Sequence, residues 1–329
     1  MKILVTGSSG HLGEALVRTL SLDPELEIIG LDIKASPYTT VVGSVSEERL
    51  VAECMKGVNL VYHTATLHKP HVATHSKQDF VCTNVSGTLT LLEAAVENGV
   101  PDFVFTSTTS VFGDALRPAA GKPAAWVTED TQSVPKNIYG VTKTAAEELC
   151  RLFHRMYGLN CIILRASRFF AEEDDNPSKR QSYTDANIKA NEYLYRRIEL
   201  EDVVNAHIRA AERAIDIGFG RYIVSATTPF VPDDIVLLNT DAIEVVRRRL
   251  PKAFDILESL GWKMFDRIDR VYVNEAARLD LGWTPKYDFN HVLERHQNGQ
   301  SSLSEIATAV GIKGYHDRLF SDGPYPVDE

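Results

Sequence analysis

Apolar residues along this chain fall into two alternating rhythms, a short continuous run and then a longer stretch at helical spacing. Residues 2–5 form a run that opens directly into Thr6-Gly7-Ser8-Ser9-Gly10-His11-Leu12-Gly13, after which Leu12, Ala15, Leu16 and Leu20 recur at helical spacing. The next run, 28–31, stops at Asp32. The alternation goes on with a strand near Val41-Val42, a helix over 47–55, a strand at 60–63, a helix over 80–98 and a strand at 103–106. A loop rich in proline and glycine separates these from a helix over 139–157 and a strand at 161–164. Runs that alternate with helices in this way predict an α/β fold, a doubly wound parallel sheet with helices on both faces. Beyond Arg165 the rhythm loosens into an acidic turn at 172–177, a helix over 202–215, a strand at 222–224 and shorter elements. The expected organisation is a cofactor domain over 1–170, which includes the helix from Tyr139, and a smaller substrate lobe over 171–329 with some segments returning to the sheet.

Composition narrows the function. The chain has 329 residues, 44% of them apolar and 24% charged, an ordinary globular balance. Its 35 basic and 45 acidic residues leave a net charge of −10, which argues against nucleic acid and anionic membrane surfaces as partners. Cys54, Cys82, Cys150 and Cys161 form no CxxC pair and read as small buried hydrophobes of a reducing compartment. The opening apolar run is too short for a signal-peptide core, and no stretch of about 18 apolar residues follows, so the expectation is a cytoplasmic protein.

Gly7, Gly10 and Gly13 stand three apart, after a strand and at the start of a helix. Such a turn needs glycine because the backbone must approach a pyrophosphate closely and the helix must pack tightly on the strand. The helix N-terminus then offers N–H groups and partial positive charge to phosphate. Asp32 ends the second strand 19 residues past Gly13, where a carboxylate accepts from ribose hydroxyls and repels a 2′-phosphate. NAD is therefore favoured over NADP, with Lys34 nearby as the opposing charge. A second signal is Tyr139 with Lys143 four residues on, which share one helix face. A phenol that titrates near pH ~10 needs about 4 kcal/mol of charge stabilisation to act as a base near neutrality, and an adjacent ammonium is suited to supply it.

The order of these pieces carries a resemblance. The glycine turn, Asp32, His63-Thr64-Ala65, Asn84, the segment Phe105-Thr106-Ser107-Thr108-Thr109-Ser110-Val111-Phe112-Gly113 and Tyr139-Gly140-Val141-Thr142-Lys143 follow one another. Together they resemble the extended short-chain dehydrogenase/reductase family, in its NAD-dependent sugar epimerase/dehydratase branch. The likeness runs over about the first 170 residues and resumes weakly in Glu201-Asp202-Val203-Val204 and Leu281-Gly282-Trp283-Thr284-Pro285. It implies a Rossmann-type fold and NAD bound by Gly7, Gly10, His11, Leu12, Gly13, Asp32, Ile33, Lys34, Ser44, Val45, Thr64, Ala65, Thr66, Asn84, Thr106, Tyr139 and Lys143. It further implies Tyr139 as general base or acid, Lys143 as the residue that holds the nicotinamide ribose and lowers the phenol's pKa, and Thr108 as the hydroxyl that bonds the reacting oxygen. Ser107 competes for that last role, but neighbours on a strand point to opposite sides.

Three departures shape the expected reaction. Dehydratases of the family place Asp-Glu directly after the hydroxyl residue, whereas this chain has Thr109-Ser110, which disfavours water loss. The asparagine that helps hold a nucleotide-sugar is here Arg168, in Arg168-Phe169-Phe170-Ala171-Glu172. Ser44 stands in place of an acidic residue near the adenine. Only about 30 residues separate Phe170 from Glu201, enough for roughly one helix, so a small polyhydroxylated substrate is expected, contacted by His68, Thr108, Thr109 and Arg168. The expected activity is NAD-dependent hydride transfer at a secondary alcohol or ketone of a sugar, as a dehydrogenase or an epimerase. A UDP-sugar 4-epimerase and a non-catalytic dinucleotide sensor are the alternatives.

His63, His68, His71 and His75 lack a cysteine or carboxylate at ligand spacing, so no metal is expected. Arg196-Arg197 reads as a charge pair on an exposed strand, and Trp126 as a lid or a loop anchor. The helices over 80–98 and 139–157 each carry more apolar surface than one buried stripe needs, and in the resembled family the two form a homodimer interface.

Overall fold

A computed structural model of the chain describes residues 1–119, 121–314, 316 and 320. Strands β1 (Lys2–Thr6), β2 (Glu27–Asp32), β3 (Val41–Val42), β4 (Leu60–His63), β5 (Asp102–Thr108), β7 (Asn160–Ala166) and β8 (Phe219–Val224) form one parallel sheet in the order β3-β2-β1-β4-β5-β7-β8. The continuous apolar runs follow from this placement. Ile3, Leu4, Val5, Phe103, Val104, Phe105 and 161–164 are covered by helices on both faces and are fully buried. One face packs on the helices His11–Leu20 and Leu200–Ile217, the other on Glu48–Met55, Gly87–Glu97 and Ile138–Tyr157.

The strand order reverses at β1, whose neighbours are β2 and β4. Thr6 is in register with Leu31 on one side and His63 on the other, so three strands end together and open a crevice beyond their carboxyl ends. Two short strands, β6 (Ala125–Val127) and β9 (Arg270–Tyr272), pair in parallel outside the main sheet. Trp126 lies in β6 opposite Val271 and packs on the core of the second lobe, so it anchors a loop rather than covering a pocket.

That second core gathers residues from 188–195, 226–271 and 287–293. Asp202 joins it to the sheet: its carboxylate accepts from Lys286 N–H (2.8 Å) and Tyr287 N–H (2.9 Å), and its carbonyl from Trp283 Nε1 (3.1 Å). The two late segments that resemble the family thus meet at Asp202, through the bond from Trp283 to its carbonyl. The stretch after Phe170 holds two short helices, Pro177–Ser182 and Asp185–Tyr193, where one was expected. Among the described residues no helix is long and apolar enough to cross a membrane.

Candidate active site

At the crevice the glycine turn is dictated by sterics. Gly7 has φ +73°, and a Cβ there would lie 2.7 Å from Ala65 N; a Cβ on Gly13 would lie 2.0 Å from the Gly7 carbonyl oxygen. Any larger residue at either position displaces the turn. No side chain caps the helix His11–Leu20, so its first N–H groups face the crevice as an anion site. Asp32 closes the far side and is held rigidly. Ser9 N–H donates to its Oδ2 (2.9 Å) and Lys34 N–H to its Oδ1 (2.8 Å), and each oxygen keeps a further lone pair. Glycine cradle, helix terminus and carboxylate together fit a dinucleotide.

The loop after β4 is fixed from behind. Thr88 Oγ1 donates to Asn84 O (2.7 Å), so His63 Nε2 donates to Thr88 Oγ1 (3.0 Å) and Nδ1 accepts from Thr6 Oγ1 (2.7 Å). Ala65 N–H then donates to Thr6 Oγ1 (3.3 Å). Asn84, expected at the cofactor, is buried behind this wall. It accepts from Leu67 N–H (2.8 Å) and Thr66 Oγ1 (3.0 Å) and donates to Leu67 O (2.9 Å), so it shapes the loop from behind rather than lining the cleft. Thr106 reaches the cleft but gives its hydroxyl proton to His207 Nε2 (2.8 Å), because His207 Nδ1 is committed to Val203 O (2.8 Å). All the other residues expected at the cofactor, Lys143 excepted, line one cleft of about 600 Å³.

At the middle of that cleft, β5 ends on Thr108 and the helix Ile138–Tyr157 begins next to it, capped by Asn137 accepting from Gly140 N–H (3.1 Å). The side chains of Thr108 and Tyr139 line the same cleft, with the Thr108 hydroxyl close enough to the phenol to favour its ionised form. Burial pushes the Tyr139 phenol up to about 12, and the nearby Thr108 hydroxyl only partly offsets this. Burial also pulls the Lys143 ammonium down to about 7, with Glu147 acting in the opposite direction. Lys143 Nζ does not line the cleft; it lies 3.9 Å from the centre of the Phe105 ring, beneath the cleft wall. Ser107 turns away from the phenol: its Oγ donates to Glu147 Oε1 (2.5 Å), and Arg165 Nη2 donates to Glu147 Oε2 (2.7 Å). This buried Ser107–Glu147–Arg165 group was not singled out from sequence. Its signal was Tyr139, Lys143 and Glu147 at four-residue steps on one helix face.

The substrate end is more charged than expected. Arg168 lines the cleft, but its Nη1 is already engaged by Asp174 Oδ2 (2.8 Å) and Glu192 Oε1 (3.3 Å). Arg196 and Arg197 are not on an exposed strand. They follow the helix Asp185–Tyr193 and fold over buried Glu192, with Arg196 Nη2 at 2.5 Å and Arg197 Nε at 3.1 Å from its oxygens. His68 packs against His71 (ring centres 4.7 Å apart) and Phe170 (5.4 Å), and burial beside other histidines holds it well below the usual imidazole range. Thr109 lines the cleft directly after Thr108. Lys313 and Gly314 also line it, a contribution no sequence motif announced. Lys313 N–H donates to His11 Nε2 (3.3 Å) and its ammonium pairs with Glu14, while His316 Nε2 donates to Pro70 O (3.0 Å).

Known proteins bear on this geometry. The model of the NAD dependent epimerase/dehydratase family matches residues 3–219. An uncharacterized UDP-glucose epimerase, YtcB of Bacillus subtilis (strain 168), is 32% identical over 185 residues, covering 50% of this chain and 55% of that protein. L-arabinose 1-dehydrogenase (NAD(P)(+)) of Haloferax volcanii is 30% identical over 178 residues, covering 50% of this chain and 65% of that one. The chain spans a little over half the length of several of the curated relatives it matches, YtcB among them. A short-chain dehydrogenase/reductase superfamily protein from Agrobacterium tumefaciens, solved with bound NAD, shares the fold with a TM-score of 0.64 at 23% identity, covering 91% of this chain and 96% of that one.

Proposed function

Because the chain belongs to the NAD dependent epimerase/dehydratase family, we propose that it moves a hydride at a secondary alcohol or ketone of a sugar-like substrate, as a dehydrogenase or an epimerase. The observation that carries this reading is the juxtaposition of Thr108 and Tyr139 in the wall of a cleft that also contains the glycine turn and Asp32. NAD, when bound, accepts or returns the hydride. Tyr139 takes the hydroxyl proton on oxidation and restores it on reduction, and Thr108 orients the reacting oxygen. Burial alone leaves the phenol protonated, so it requires positive charge beside it. Lys143, four residues along the same helix face, is the candidate to provide it; with its ammonium beneath the cleft wall beside Phe105, holding a ribose hydroxyl as well requires that side chain to turn toward the cleft. Thr109 and Ser110 follow Thr108, and neither can relay protons as a carboxylate does, so dehydration is not part of the reading.

For the substrate, a small polyhydroxylated compound is the first choice. A nucleotide-sugar is the second, favoured by an adjoining cavity of about 630 Å³ that Asn239, Phe265, Arg267 and Arg270 help to build. We further propose a homodimer through the helices Gly87–Glu97 and Ile138–Tyr157, and a cytoplasmic location in keeping with four unpaired cysteines.

Tyr139→Phe tests the mechanism. It should leave NAD affinity nearly unchanged and slow turnover about 10²–10⁴-fold. Retention of more than half the parent turnover removes Tyr139 from the reaction.

A further inference from the structure

Two loops flank the catalytic pair, and each brings a cation to the cleft. Arg117 lies just beyond the turn that follows Thr108, and Lys136 lies three residues before Tyr139. A β-bridge between Gly113 and Val134, with Asp114 N–H donating to Val134 O (2.9 Å), ties the loops side by side. Neither side chain makes an ion pair with a described residue, and both are exposed. Lys69 and Arg270 also face Lys136, but each has its own partner, Lys69 in Asp175 and Arg270 in Asp269, so the unpaired charge here is that of Arg117 and Lys136. Partial burial, then the cations Arg117, Lys69 and Arg270, hold the Lys136 ammonium below its ordinary range, with Asp114 acting the other way. In a chain of net charge −10, so local a positive surface calls for an anion.

A second observation points into the same cleft. Ser167 directly follows β7, beside the end of β5, is only 3% exposed, and its Oγ has no hydrogen-bond partner among the described residues. Arg196 Nε is likewise buried without a partner and lines both the cleft and the adjoining cavity. A buried hydroxyl left unpaired is costly, and a ligand hydroxyl would satisfy it.

We propose that the substrate is an acidic sugar, its carboxylate or phosphate held by Arg117 and Lys136 and one of its hydroxyls by Ser167. The inference rests on the sugar reading above. It moves the anion contact away from Arg168, whose charge Asp174 and Glu192 already balance. Arg117 and Lys136 line the same cleft as Thr108 and Tyr139, which favours an acidic group on the sugar itself; Arg117 also lines the adjoining cavity, which is why UDP is the competing probe.

Calorimetry on the NAD-loaded protein tests this, with glucuronate, galacturonate, glucose 6-phosphate, glucose and UDP as probes. At least one acidic sugar should bind more tightly than glucose. Arg117→Gln with Lys136→Gln should weaken that binding about ten- to a hundredfold and leave NAD binding unchanged, since bonds to a charged group are worth this much. Ser167→Ala should weaken acidic and neutral sugars alike. Glucose binding as tightly as every acidic probe, no acidic sugar binding at all, or unchanged affinity in the double variant would each overturn the proposal. UDP binding more tightly than the sugar acids would overturn it too, in favour of a nucleotide-sugar. Failure of NAD to bind is a separate result that would refute the underlying reading instead.

Discussion

Asp32 shows how much one side chain can decide. Its two oxygens take N–H groups from Ser9 in the glycine turn and Lys34 in the following loop, and in the proposed reading the carboxylate so fixed accepts from a ribose and repels a 2′-phosphate. Asp32→Ala should weaken NAD about tenfold or more and narrow its advantage over NADP, because acceptor and repulsion vanish together. Titration of both dinucleotides checks this; an unaltered preference would mean that Lys34 or the backbone sets it. Thr108 and Ser107 were separable from sequence because strand neighbours alternate sides, and the structure turns Ser107 to Glu147 while Thr108 meets Tyr139. Arg168 was not legible in this way. Its partners Asp174 and Glu192 lie 6 and 24 residues along the chain, so nothing local to it marks its charge as already balanced.

At the scale of elements, the helix Ile138–Tyr157 has two faces with different tasks. Tyr139, Lys143, Ala146, Glu147, Cys150 and Phe153 are buried on one. Val141 (50% exposed), Leu152 (43%) and Met156 (61%) stand in solvent on another, more apolar surface than a soluble helix ordinarily shows. Val81, Val85 and Leu89 on the neighbouring helical segment are only partly covered. If these surfaces form a dimer, the parent should sediment as a dimer and Val141→Glu with Met156→Glu as a monomer that retains its helical circular dichroism. A monomeric parent at micromolar concentration would sink the proposal. The apolar excess was readable from the periodicity. The π-helical stretch Val81–Ser86, which contains Asn84, was not, because an extra residue in a turn depends on what the helix packs against.

The largest departure from the sequence reading belongs to the whole molecule. Arg168, Arg196 and Arg197 converge on the fully buried Glu192, bringing together the end of β7, the helix Asp185–Tyr193 and the residues that follow it. Burial opposes the charge on Glu192, yet the three guanidinium groups hold its carboxyl well below the usual range. With the folded value depressed, the stabilisation is complete above the unfolded pKa of about 4.3 and is lost as pH falls below it toward the folded value. Glu192→Gln should therefore cost about 3–5 kcal/mol at pH 7, by leaving buried cations unmatched, and markedly less near pH 3. Urea unfolding at both pH values checks this, and equal losses would show that the pairing contributes no pH-dependent stability. By itself the sequence determined the parallel α/β sheet, the glycine turn with its carboxylate, and the Tyr139–Lys143 helix. Each rests on spacing within one element or on the order of neighbouring elements, and backbone geometry converts that spacing directly into position. Only the tertiary structure decided where Asn84, Arg168, Arg196 and Lys313 point. Their surroundings are built by chain segments remote in sequence, and burial and charge pairing between such segments obey no local period.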